Sequence, residues 1–371
     1  MAVTRRNVAR HTSISRLIIG VTILAAVIAT APIIGAAFGV SAPRVSPRTA
    51  FASAPSGNYA VVARTDGTHD VIGVAWAGNG GAITEVARVP HLDGMGITGA
   101  VSPDGARVAA VAIETGTATR PVASLVIIDL VTGELFRAAL RIDPGQVPVW
   151  APDGASVVVT RAIQPDAVAT DVQVLRVSLR GTEDVLWTVA GVLGVYPLGF
   201  ERSGALLAVA IDGSGSTVLR DGQAVVSLGP WITRDWQLSP DGSQLGYIEA
   251  NVEDGIRYLA RRISLAEGGV TVQALGADVE ALGVAWNPRT GSVAYGAEPG
   301  AEGNGVSAQA LRNESGFDVP LGFAADGTIL AVAHWTGEDF TQPGAYGIEL
   351  VDGGGRTAIA DYTRFLGWAR R

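Results

Sequence analysis

Four histidines, no cysteine and 35 acidic residues are the side chains from which any chemistry of this 371-residue chain must be built. His11, His69, His91 and His334 stand far apart. Imidazoles from three separate parts of the chain could meet on a metal ion, but isolated residues of this kind read as loop and surface histidines. The lack of cysteine excludes disulfides, thiol catalysis, cysteine-ligated zinc and a lipid-modified N-terminal cysteine. A hydrolase serine needs G-x-S-x-G on a strand–turn–helix elbow; "DGSGST" at 212–217 has the wrong order and reads as a loop. There is no D-x-D-x-D-G calcium loop. No catalytic residue, metal site or cofactor is expected, and the reading leans away from an enzyme.

Binding chemistry is better represented. "HWTGEDFTQPGAY" sets Trp335, Phe340 and Tyr346 beside Glu338 and Asp339, and a second polar stretch holds Glu253 and Asp254. Aromatics on a long polar segment suit a contact surface. The acids have two readings. Loops of an acidic protein are acidic anyway, or these residues form a face for a basic partner or for divalent cations. A formal net charge of −8, with arginine supplying all 27 basic residues, argues against nucleic-acid binding.

The elements that position these residues come from a repeat. "VSPDGARVAAVA" at 101–112 returns as "WAPDGASVVVT" at Trp150, "FERSGALLAVA" at Phe200, "LSPDGSQLGYI" at Leu238, "WNPRTGSVAYG" at Trp286 and "FAADGTILAVA" at Phe323, after a first copy at Ala54. The turn glycines, from Gly57 to Gly327, are spaced 36–50 residues apart. Repeats of that length built from short strands signal a β-propeller, whose blades are four-stranded sheets stacked face to face. Asp104, Asp153, Asp241 and Asp326 recur with the turns and read as caps on their own backbone. Trp150, Trp286 and Trp368 read as packing residues between blades. "FLGWARR" at Phe365–Arg371 is an eighth lead-in with no blade behind it. Placed beside Tyr59–Arg64, it would close the ring. The expectation is an all-β, seven-bladed propeller of four-stranded blades over residues 54–371. The acidic loops then share one rim.

The S-P-D-G turns at Val101–Gly105, Trp150–Gly154, Leu238–Gly242 and Trp286–Gly291 resemble the repeats of TolB-type, WD-repeat-like propellers, and those of actinobacterial envelope lipoproteins. The chain departs from both in having no lipid-accepting cysteine, and no further domain is read ahead of the repeats. The resemblance implies a partner among other envelope proteins.

Ahead of the repeats, Leu17–Val40 has 24 uncharged residues, about 36 Å as a helix. Arg5, Arg6, Arg10 and Arg16 precede it, so residues 1–16 are expected in the cytoplasm, 17–40 in the membrane as a single span, 41–53 as linker and the propeller outside. The alternative is a signal peptide cleaved to release a secreted protein. The leading functional expectation is a membrane-anchored interaction module of the cell envelope. Its rival is a small-molecule or carbohydrate-binding propeller, possibly a hydrolase or lyase, that uses the central channel.

Overall fold

Each repeat alternates short apolar strands with turns rich in Gly, Asp and Pro, so it forms an antiparallel sheet with two apolar faces that only neighbouring sheets can cover. In the computed structural model every regular element described is a strand. The described residues are 51 and 54–371, less 79, 118–119, 165–166, 230–231, 252–256, 266–271, 276–280, 298–307, 311–315, 338–344 and 354. No described helix is long and apolar enough to cross a membrane, and the expected span at 17–40 lies outside the described residues.

The first sheet holds β1 (Asn58–Asp66), β2 (His69–Trp76) and β3 (Ile83–Pro90). The second holds β4 (Thr98–Val101), β5 (Arg107–Thr117), β6 (Arg120–Asp129) and β7 (Leu135–Ile142). The third holds β8 (Val149–Trp150), β9 (Ser156–Ala162), β10 (Thr170–Ser178) and β11 (Glu183–Val192). The fourth holds β12 (Gly194–Phe200), β13 (Leu206–Asp212), β14 (Gly215–Arg220) and β15 (Gln223–Gly229). The fifth holds β16 (Ile232–Leu238), β17 (Gln244–Asn251), β18 (Arg257–Ser264) and β19 (Val272–Ala274). Then come β20 (Ala281–Trp286), β21 (Val293–Ala297) and β22 (Ala308–Ala310), and finally β23 (Phe317–Phe323), β24 (Leu330–Trp335), β25 (Tyr346–Asp352) and β26 (Gly355–Ile359). The last strand, β27 (Arg364–Arg370), joins the first sheet in the order β27-β1-β2-β3.

Among the described residues there are six four-stranded blades, not the expected seven. The sheet of β20–β22 has three strands among the described residues, and β22 runs parallel to β21. A parallel pair cannot be joined by a tight hairpin. The intervening sequence, "EPGAEGNGVS" at 298–307, lacks the apolar alternation that carries the third strand elsewhere.

The inner strands neighbour one another in the order β4, β8, β12, β16, β20, β23, β27 and back to β4. Apolar side chains pack between adjacent sheets: Val61 and Ile72 meet Val108 and Ala110, and Val174 and Val192 meet Val195 and Ala208. Closure by the C-terminal strand takes the expected form. β27 runs antiparallel to β1, pairing Tyr59 with Ala369 and Ala63 with Arg364. Leu366 and Ala369 are buried, while Phe365 and Trp368 are half-buried rather than fully enclosed.

The repeated residues act between blades. Trp150, Trp286 and Trp368 each donate the indole N–H to a carbonyl of the preceding inner strand, of Ala100, Gln237 and Gly322, all at 2.9 Å. Gly105 (φ +70°) and Gly242 (φ +72°) occupy the left-handed region, and a Cβ there would lie 2.8 Å from Arg370 N and 2.7 Å from Glu201 Cα of the neighbouring sheet. The four turn aspartates accept the backbone N–H two residues on, of Ala106, Ala155, Ser243 and Thr328, at 2.9–3.1 Å. Hydrogen bonds from Ser239 and from Ser243 hold the Asp241 carboxyl down at about 2.

Candidate functional site: the propeller rim

Topology sorts the connections into two ends. The Asp-Gly turns and the tight third-to-fourth-strand turns lie at one end, and the links between sheets share the other, the rim, with the second-to-third-strand loops. Of the sequence-predicted binding residues, Glu253, Asp254, Glu338, Asp339 and Phe340 lie outside the described residues. Trp335 and Tyr346 are described, and they face each other across the β24–β25 ladder with ring centroids 4.7 Å apart. Tyr346 is 38% exposed and Trp335 half-buried.

Three of the described rim acids carry their own counter-charges. Asp66 pairs with Arg88 at 3.1 Å, Glu114 with Arg137 at 2.7 Å and Glu249 with Arg261 at 3.4 Å. Asp212 caps its own turn through the N–H of Ser214, and Asp171 accepts the N–H of Gly191. The arginines stand on strands across the ladder rather than in the loops, so counting charge loop by loop misses them. The arginines of "LFRAALRI" (Arg137 and Arg141) and "YLARRIS" (Arg261 and Arg262) are the sequence signal for these pairs.

Two histidines expected in loops and on the surface instead rest on buried carboxylates. Asp70 has no solvent exposure. It accepts the N–H of Ile97 at 2.6 Å and binds the Arg364 guanidinium, and His91 Nε2 lies 3.3 Å away. That histidine contact is off the line of a good hydrogen bond, and Nδ1 bonds the Leu92 carbonyl at 2.8 Å. Asp70 therefore fastens the second sheet's entry loop to the closing strand. Asp318, 1% exposed, takes Arg356 through both oxygens at 2.7 and 2.8 Å and His334 Nδ1 at 2.8 Å. The His334 ring is thereby fixed with Nε2 as its remaining polar atom. Arg356 also binds Glu349 at 2.6 Å. No three His, Asp or Glu side chains among the described residues are placed to hold a metal.

Two further features went unread in the sequence. The three rim connections of the third sheet expose apolar side chains: Val147 at 53%, Ile163 at 51%, Val168 at 77% and Leu193 at 44%. Asp171 ties two of these connections, its carbonyl accepting from Ile163 N and its carboxylate from the N–H of Gly191, two residues before Leu193. The inner strand β16 also breaks its ladder at Asp235, which has φ +54°. Asp235 pairs with Arg234, and burial pushes its carboxyl upward against the opposing pull of that arginine.

No protein-family model and no curated protein matches the sequence. Solved structures do. TolB from Acinetobacter baumannii is 16% identical with a TM-score of 0.50, over 85% of this chain and 67% of that one. A prolyl endopeptidase structure is 16% identical with a TM-score of 0.56, and the match covers 82% of this chain and 48% of that protein, so this chain spans about half its length. An oligogalacturonate lyase in complex with manganese is 12% identical with a TM-score of 0.51, over 79% and 90%. At these identities the likeness concerns the fold alone: the described chain is a β-propeller similar to that of TolB.

Proposed function

We propose that this protein is a membrane-anchored interaction module of the bacterial cell envelope, with its N-terminus cytoplasmic and its propeller outside. The partner is an envelope protein that lays an apolar segment across the rim of the third sheet. The observation that carries this reading is the strip Val147, Ile163, Val168 and Leu193. Packing does not require side chains that are left 44–77% exposed on three connections of one sheet, and exposed apolar surface of this kind marks contact sites. Because Asp66, Glu114 and Glu249 are matched by arginines, apolar contact is better supported than attraction to a basic surface. The chain enters the propeller at the opposite end. Phe51 packs edge-on against Tyr59 at 5.3 Å, beneath the guanidinium of the C-terminal Arg371 at 5.4 Å.

The test is capture of partners by the full-length protein from detergent-solubilised membranes, comparing wild type with Val168→Asp/Leu193→Asp. A partner that is lost in the double variant at unchanged melting temperature, and retained by wild type at about 0.5 M salt, where exposed charges are screened within about 4 Å, supports apolar docking. Capture that tolerates both aspartates but dissolves in salt overturns it in favour of a charged face.

A further inference from the structure

The first link between sheets, "HLDGMGI" at 91–97, begins on a histidine whose side chain has no solvent exposure. His91 Nδ1 lies 2.8 Å from the Leu92 carbonyl. A carbonyl only accepts, so Nδ1 holds a proton. In a neutral ring Nε2 would then be a bare lone pair, and Asp70 Oδ1 of a fully enclosed carboxylate stands 3.3 Å from it. Nε2 makes no hydrogen bond. A lone pair closed in against a carboxylate repels it, whereas a second proton turns the contact into an ion pair. Burial works against that charge, yet the neighbouring Asp70 and the Leu92 carbonyl outweigh it and raise the pKa of the ring. Asp70 divides its oxygens. Oδ1 faces both His91 and the Arg364 guanidinium of β27, and Oδ2 accepts the N–H of Ile97. Among the described residues, Asp70 is the only carboxylate within 4 Å of the His91 ring nitrogens. Charges on the elements around it are engaged elsewhere or open to water. On β1, Arg64 binds Glu85 and Asp66 binds Arg88; on β5, Glu114 binds Arg137; His69 and Asp93 are exposed.

We propose that His91 is a buried imidazolium that latches this rim loop, and that loss of its proton releases residues 91–96 while β27 stays in place. With the proton gone, Nε2 opposes Asp70 Oδ1 and the ring has to leave. Oδ1 then belongs to Arg364 alone, so the closing strand keeps its partner. Little else holds the loop: Leu92 N bonds the Ile113 carbonyl at 2.7 Å and Met95 N the Leu92 carbonyl at 3.0 Å. Gly94, at φ +74° with nothing within 4 Å of where a Cβ would stand, is the point about which the loop can swing. A pKa raised in the folded state sets the direction. The latch is closed below the folded value and opens as pH rises through it. It lies between the first and second sheets, apart from the docking strip, and does not rest on it.

Nitrogen-15 NMR of the full-length protein labelled at histidine reads the charge, with His91→Gln assigning the signal. Hydrogen exchange across a pH series, corrected for the intrinsic effect of pH, reads the loop. The His91 ring should still be doubly protonated at about pH 6.5, where a free imidazole is half titrated, and lose its proton above that. Protection of the Leu92 and Met95 amides should fall by up to about tenfold per pH unit above the same midpoint, with the amides of β27 unchanged. His91→Gln should abolish the step. If that variant does not fold, His11→Gln, His69→Gln and His334→Gln assign the signal by elimination, and coincidence of the two midpoints in the wild type decides. A His91 midpoint at or below about 6.5, loop protection without a step at the midpoint, or a step that His91→Gln retains overturns the latch.

Discussion

Replacing Asp70 with alanine should loosen the ring at its seam. The carboxylate is fully enclosed and holds three segments at once: its own strand β2, the entry loop through Ile97 N, and Arg364 on the closing strand. In the variant, Ile97 N loses its acceptor, and Arg364, whose Nε is already buried without a partner, keeps a charge with nothing opposite it. Removing one member of a buried ion pair costs about 3–5 kcal/mol. Arg364 retains 28% exposure, so water takes up part of its charge and the lower figure, about 3 kcal/mol, applies. At an unfolding entropy of about 2 cal/mol/K per residue, that lowers the melting temperature of roughly 300 ordered residues by about 5 °C. Calorimetry of wild type, Asp70→Ala, Arg364→Met and the double variant reads both the loss and the coupling. The double variant should be no less stable than Asp70→Ala alone, since the stranded charge is gone. A melting temperature within about 1 °C of wild type for Asp70→Ala, or strictly additive losses, would refute the seam.

Other outcomes follow from the same contacts. Burial disfavours the imidazolium of His91, but the Asp70 carboxylate beside it and the Leu92 carbonyl bonded to its Nδ1 outweigh that and raise its pKa. A raised folded pKa stabilises fully below about pH 6.5 and is lost as pH rises through the folded value, so the melting-temperature gap between wild type and His91→Gln should be widest near pH 6 and narrow toward pH 9. A gap constant with pH counts against it. Deleting residues 364–371 strips the β1 edge and exposes the surface under Leu366 and Ala369; the product should aggregate, and a soluble monomer of unchanged stability would show that β27 does not close the ring. Trp150→Phe keeps a ring but loses the bond to the Ala100 carbonyl, and denaturant unfolding should show a loss of about 1 kcal/mol.

The turns and the closure were legible because they are local and repeated. Asp104 caps two residues away, and "FLGWARR" matches lead-ins seen elsewhere in the chain. Trp150, Trp286 and Trp368 could be read as wedges from their place before each turn, though their hydrogen bonds could not. The Asp70 network was hidden because Arg364 is 294 residues away, and a buried aspartate looks in sequence like any rim acid. Asp318 in "GFDVPLGF" gives no hint of Arg356, 38 residues on. Repeat counting assigned four strands to the unit begun by Trp286 because its turn fits the pattern, while the sequence after that turn lacks the apolar alternation of the other units. Exposure of Val168 and the backbone conformation of Asp235 depend on tertiary surroundings that neither periodicity nor composition records.

The docking claim is tested most directly by where the protein touches its partner in intact cells. A photoreactive phenylalanine analogue is placed at Val168 on the rim and, separately, at Arg202 in an Asp-Gly-type turn at the opposite end. Illumination should yield a discrete protein adduct from Val168, lost when Leu193→Asp is added, and none from Arg202. No adduct from Val168, or the same adducts from both positions, would contradict the account.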